Sequence, residues 1–243
     1  MRFRIEDPQR LPVVPFEGER GLPLVSQVLE AGALRQRFAQ PPRWSPELFG
    51  DRPVDPAQAL RPAAVLIGFL PRPGGAGLLL TRRSEQLVSH RGQIAFPGGR
   101  VDASDPSPIA AALREAHEEV GIPPDDVEVL GTLPEYLTGS GYRITPVVGL
   151  IEPAPVLAEL AIEPAEVAEV FEVPARFLMD PGNHQRRIAS WVEGGVTTSR
   201  SFLAMPWQAA LAPGVPESEP GREYFIWGAT AAILRNLYRF LAA

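Results

Sequence analysis

One segment governs what this chain can become. Between the Gly98-Gly99 pair and the Gly121-Ile122-Pro123 stop, Ile109, Ala112, Leu113, Ala116 and Val120 recur at three- and four-residue intervals. That spacing predicts a helix with a single apolar face about 100° wide, ended by Gly121 and Pro123. Such a helix has to lay its dry face on another surface, and the flanking sequence offers strands. "AAVLIGFL" from Ala63, the turn "PRPGGAG" and the run "LLLTRRS" read as strand–turn–strand, and "QIAF" is a further short strand stopped by Pro97-Gly98-Gly99. "VEVLGTL", "ITPVVGLI" and "EVFEVP" are strand candidates downstream. Strands that alternate with helices predict an α/β or α+β sandwich.

The ends read differently. Residues 1–60 form an N-terminal extension, partly helical and proline-rich, and residues 61–243 form the main domain. Within the extension, 23–39 fit an amphipathic helix anchored by Leu24, Val28 and Leu34, followed by a proline-rich linker. Residues 180–222 read as irregular, with a hairpin possible across 189–205, and 224–242 as a closing helix. The 28 prolines, about twice the ordinary share, predict long stiffened loops.

Composition removes several function classes. The net charge is −6 and no basic block is present, so a nucleic-acid partner is not expected. The absence of cysteine excludes disulfides, thiolate zinc sites and cysteine nucleophiles, and fits a cytoplasmic setting. No run approaches the roughly 18 apolar residues of a membrane span, and the first residues lack the apolar core of a secretion signal. No Walker loop or dinucleotide G-x-G-x-x-G is present, and His90, His117 and His184 are isolated.

The side of the predicted helix opposite its apolar face carries Glu115, Glu118 and Glu119, with Arg114 at its edge. Carboxylates at this spacing repel one another. Such a stripe is either a solvated face or a cation site. Its one-sided gathering, with no lysine placed at the next turn, favours a hard divalent cation that accepts carboxylates together with substrate phosphate oxygens. The glycine pair before the helix lets a backbone carbonyl approach where a side chain would obstruct it.

This stretch resembles the Nudix box, G-x5-E-x7-R-E-U-x-E-E-x-G-U, with U a bulky aliphatic residue. Arg114, Glu115, Glu118, Glu119, Gly121 and Ile122 match, and Ala116 is a small U. The first half departs: the sixth position after Gly99 is Asp105 rather than glutamate, and Arg114 lies nine residues later instead of eight. The resemblance implies a Nudix α/β/α sandwich with a mixed β-sheet, and hydrolysis of a nucleoside diphosphate linked to another group. It implies Mg2+ or Mn2+ held by Glu115, Glu118, Glu119 and the Gly99 carbonyl. Glu118, Glu119, Arg114 and Glu166 are the catalytic candidates it suggests, with Asp105 bracing Arg114. Glu166 is equally readable as a surface glutamate before a strand.

Upstream, residues 78–99 resemble a second signature, that of the coenzyme A pyrophosphatases within the same family: L-L-T-x-R-S-x3-R-x3-G-x3-F-P-G-G. Leu79, Leu80, Thr81, Arg83, Ser84, Gly92, Phe96, Pro97, Gly98 and Gly99 match, while Val88 stands at the second arginine and Arg91 follows three residues on. Arg82, Arg83, Ser84, Arg91 and Phe96 are the substrate-binding candidates. Guanidinium groups suit the 3′-phosphate of coenzyme A, although arginines after a strand are also readable as a solvated edge. "YFIWGATAAI" resembles the ending of that branch, and its aromatics are equally core or dimer contacts, which leaves a homodimer open. Glu135 and Tyr142 stand at the border of the expected pocket. The resemblance implies cleavage of coenzyme A or acyl-coenzyme A to 3′,5′-ADP and 4′-phosphopantetheine or its acyl form. ADP-ribose, another nucleoside diphosphate sugar and a nucleoside triphosphate are alternative substrates, and a non-catalytic binding module is a further alternative.

Overall fold

The computed structural model describes residues 5, 7–15, 22–51, 59–87, 89–209 and 222–243. Its main sheet is mixed. β2 (Arg61–Leu70) runs parallel to β8 (Tyr142–Ile151), and β6 (Val127–Thr132) lies antiparallel beyond β8. On the other side β2 meets β3 (Gly77–Arg83), which pairs with β4 (Ile94–Ala95) and with β9 (Val167–Pro174). The short β5 (Gly98–Arg100) pairs with the start of β2, and β7 (Tyr136–Leu137) with the start of β8.

Alternation along these strands explains why their sequences read as unbroken apolar runs. Leu66 and Leu70 of β2 and Leu79 of β3 enter one core with Ala111, Ala112, Ala116 and Val120 of α2 (Pro108–Val120). Ile67 and Phe69 of β2 and Leu78 and Leu80 of β3 enter a second core on the opposite face. That core takes in Leu34 of α1 (Ala31–Ala39) and Ile233, Leu234 and Leu237 of α4 (Gly228–Ala242). A sheet covered on both faces needs apolar residues at both parities. The result is the α/β sandwich that the sequence predicts.

A second, antiparallel sheet has the order β1 (Val13–Val14), β10 (Gln185–Glu193), β11 (Val196–Gln208), β12 (Glu223–Trp227). Leu203, Met205, Tyr224 and Ile226 bring it into the second core. The hairpin expected across 189–205 is present and longer than that, paired from Gln185↔Ala204 to Glu193↔Val196, so among the described residues less of 180–222 is irregular than the sequence suggests. Gly194 and Gly195 make its two-residue turn, both with positive φ (58° and 79°), which matches the right-handed twist of the strands. The closing segment also differs from its reading as one helix. Tyr224–Trp227 belong to β12, and α4 starts only at Gly228. Bulky aromatic residues favour the strand, and so short an apolar run carries no period that could separate the two forms.

In the N-terminal part, Ser26–Val28 form a 3-10 turn and α1 begins at Ala31. Leu34 is fully buried and Val28 packs partly against the core, but Leu24 lies ahead of the helix and is 69% exposed, so it is not an anchor. The following residues run along α4. Asn236 Oδ1 accepts from the Glu47 and Leu48 amides, Glu47 accepts from buried Arg235 at 2.9 Å, and Phe38 and Trp44 pack on Phe240. A short α3 (Ala175–Leu178) follows β9.

Candidate active site

The acidic helix is well specified at both ends. Ser107 Oγ accepts from the Ala110 amide at 3.2 Å, Pro108 occupies the first turn, and Gly121 closes the helix in the left-handed region at φ 73°. Its inner face lies on β2 and its outer edge lies along β5, so the glycine pair and the glutamates meet directly.

Glu119 is the innermost carboxylate, 3% exposed. Its Oε2 accepts from the Gly98 amide at 3.0 Å and its Oε1 lies 3.6 Å from Arg83 Nη1. Burial pushes its carboxyl up to about 7, against the pull of the Gly98 amide and Arg83, and the nearby Glu115 and Glu166 charges add to the rise. One turn earlier, Glu115 sits over Gly99 so closely that a Cβ on that glycine would come within 2.5 Å of its carboxylate. Burial raises the Glu115 pKa; Arg114 opposes the rise, and the Glu118 and Glu166 charges reinforce it.

Arg114 ties the outer edge together. Asp105 accepts from its Nε at 3.0 Å and from its Nη2 at 2.9 Å, a two-point contact that holds the Asp105 carboxyl below the ordinary carboxylate range. The same Nη2 donates to the Arg100 carbonyl at 3.1 Å, and Nη1 lies 3.1 Å from Glu115 and 2.8 Å from Glu118. The shorter acid and the extra loop residue thus still give a paired brace. Asp105 Oδ2 also accepts from the Asp102 amide, which holds the loop compact.

The substrate-binding candidates separate in space. Arg83 faces the ridge through Glu119, whereas Arg82, its neighbour on β3, turns to the other face and donates to Glu169 at 3.1 Å. Successive strand residues point to opposite faces, so these two arginines do not form one cluster. Ser84 is buried, and its amide donates to the Glu166 carbonyl at 2.8 Å, which brings Glu166 beside the ridge. Arg91 is exposed and bonds its own loop through the Leu87 carbonyl, and Phe96 is buried in the second core. Val88 lies outside the described residues. Glu135 forms an exposed pair with Arg143.

Sequence reasoning passed over two arginines. Arg61 and Arg100 flank Tyr142, Arg61 lying 4.0 Å and Arg100 6.0 Å from the ring centroid. The only signal in the sequence was the adjacency of Arg100 to Gly99. Arg61 joins through the parallel register Arg61↔Tyr142, which no local pattern announces.

The donor set fits a hard divalent cation. Among the described residues no three acidic or histidine side chains are already closed round one point, because Arg114 and Arg83 hold the ridge carboxylates. The groups are nonetheless all oxygen, the Glu115 and Glu119 carboxyls are both raised chiefly by burial with neighbouring carboxylates adding to the rise, and Gly99 leaves the room a Cβ would fill. Among the described residues no helix is long and apolar enough to cross a membrane.

Comparison with known proteins identifies the family. The sequence matches the NUDIX domain family over residues 59–192. It is 45% identical over 177 residues to the uncharacterized Nudix hydrolase NudL of Escherichia coli (strain K12), covering 73% of this chain and 81% of that protein. The same figures hold for NudL of Citrobacter koseri. Among solved structures it is similar to RenU, a Nudix hydrolase from M. smegmatis, at 28% identity over 53% of this chain and 73% of that one, with a TM-score of 0.40. The NUDIX domain of Shewanella oneidensis NrtR, complexed with ADP ribose, is 22% identical over 50% and 78% of the two chains, with a TM-score of 0.38. By the extent of its family match and its identity to NudL, the chain belongs to the Nudix hydrolase family and is an enzyme of phosphorus-anhydride hydrolysis.

Proposed function

We propose that the chain hydrolyses the diphosphate of coenzyme A or its acyl esters in the cytoplasm, giving 3′,5′-ADP and 4′-phosphopantetheine or its acyl form. The observation that carries the substrate choice is the 78–99 stretch, which matches the coenzyme A signature from Leu79 to Gly99 except at Val88, where the signature has an arginine. Two of its residues stand by the ridge: Arg83 lies 3.6 Å from Glu119, and the Ser84 amide donates to the Glu166 carbonyl.

Glu115, Glu118, Glu119 and the Gly99 carbonyl would hold Mg2+ or Mn2+. When bound, the cation screens the diphosphate charge and acidifies the attacking water. The chain's own residues supply the rest. Arg114, fixed by Asp105, sets the position of Glu115 and Glu118. Arg83 holds Glu119 in its buried place. Glu166 is exposed and makes no ion pair among the described residues, which leaves it available as the base. Water adds to one phosphorus as its proton passes to the carboxylate. The bridging P–O bond breaks, and its electron pair leaves with the departing phosphate.

The test is hydrolysis of coenzyme A in oxygen-18 water with Mg2+ or Mn2+, with the products weighed by mass spectrometry. Label in 3′,5′-ADP or in phosphopantetheine supports the reading and identifies the phosphorus attacked. Intact coenzyme A, with ADP-ribose or a nucleoside triphosphate cleaved instead, would replace the substrate and keep the chemistry.

A further inference from the structure

We propose that Arg61 and Arg100, gathered round the Tyr142 ring, form a second anion subsite that takes a phosphate lying one sugar away from the scissile diphosphate. The inference rests on the coenzyme A reading for the identity of that group, the 3′-phosphate.

The three side chains converge because of strand register. Arg61 of β2 is opposite Tyr142 of β8, and Arg100 of β5 is opposite Ala63 of β2. Arg100 Nη2 donates to the Tyr142 hydroxyl at 3.3 Å, and Arg61 Nη2 donates to the Ser140 carbonyl at 3.1 Å. Among the described residues neither guanidinium has a carboxylate within 4.0 Å, although Arg82, Arg83 and Arg114 each have one. Two cations sharing one ring without a counter-charge repel each other, and a phosphate answers both with the two-pronged geometry a guanidinium prefers.

The location suits a substrate already held at the ridge. Gly99 turns its open side to Glu115, so the next residue, Arg100, projects to the opposite face of the strand. Among the described residues β5 pairs with β2 along one side only, which leaves a free edge for a ligand to cross. The Arg100 carbonyl is fixed by Arg114, so the subsite and the ridge share one rigid joint. Arg82 and Arg91, by contrast, are occupied by Glu169 and by the Leu87 carbonyl.

The experiment is calorimetric binding of adenosine 3′,5′-bisphosphate and of 5′-AMP to the full chain. The wild type is expected to prefer the bisphosphate by about tenfold or more, the scale of one charge-assisted contact. The Arg61→Gln/Arg100→Gln double variant is expected to lose that preference, and Arg100→Lys, which keeps charge and fold but not the fork, to lose part of it. A wild type without the preference, or variants that retain it in full, would overturn the subsite. Bisphosphate preference lost in the variants, in a chain that leaves coenzyme A intact, would sustain the subsite and sink the coenzyme A reading. Coenzyme A hydrolysis without an arginine-dependent preference would do the reverse.

Discussion

Replacing Gly99 by alanine isolates positioning from folding. The backbone at Gly99 does not lie in the left-handed region, so alanine adopts it without backbone strain. The new Cβ would stand 2.5 Å from Glu115 Oε2 and 2.5 Å from its Cδ, against an ordinary contact that begins near 3.4 Å. The carboxylate has to retreat by the difference, 3.4 − 2.5, about 0.9 Å. Glu115 is a flexible side chain, so the fold yields cheaply. Its 3.1 Å contact with Arg114 does not survive unchanged. A misplacement of about 1 Å in a reacting array costs on the order of a hundredfold in rate, or about 2.7 kcal/mol in the barrier. The assay is steady-state hydrolysis with saturating Mg2+, beside a thermal melt of the same preparation. The expected outcome is a large fall in kcat with a melting temperature within a few degrees of wild type. A variant that turns over within threefold of wild type would refute the idea that Gly99 is small in order to seat Glu115.

Three further outcomes follow from the same contacts. Asp105→Ala removes the two-point partner of Arg114 and should lower kcat about tenfold to a hundredfold, with Asp105→Asn falling less, as read by steady-state kinetics. Glu47→Ala removes the carboxylate 2.9 Å from Arg235, which is 2% exposed, and should destabilise the fold by about 1–3 kcal/mol in urea denaturation. His184 accepts from Arg235 at Nδ1 and donates from Nε2 to the Leu178 carbonyl, and burial pushes its pKa from 6.5 down to about 4. The unfolded chain therefore binds one more proton between those values, so stability is full above pH 6.5 and falls as the pH drops through the window, by up to about 3 kcal/mol. Denaturation of wild type and His184→Gln at several pH values should show that slope in their difference, and parallel curves would contradict it.

The parts of this molecule legible in the sequence are those fixed by near neighbours. The α2 ridge follows from spacing within one helix, and its C-terminal end from Gly121 and Pro123. The Asp105–Arg114 brace spans nine residues, and one loop closes it. Other features depend on which strands lie side by side. Arg82 and Arg83 are adjacent in the chain and separated by the sheet, a division that a motif comparison hides and the strand period of two reveals. The Arg61–Tyr142 contact exists only through the parallel pairing of β2 with β8. The β12–α4 junction was hidden because Tyr224–Trp227 are too few residues to display a period, and the turn depends on Gly228 at φ 64°.

The seating of residues 22–48 on α4 bears on how the polypeptide is made. Tyr238 donates to the Pro23 carbonyl, and Glu47 receives Arg235, across separations of 215 and 188 residues. During synthesis the earlier segment leaves the ribosome long before its partner helix exists, so Leu34, Phe38 and Trp44 spend that interval without the surface that later shelters them. Contacts of such span are closed late and slowly, and an apolar segment kept waiting is a natural client for a chaperone.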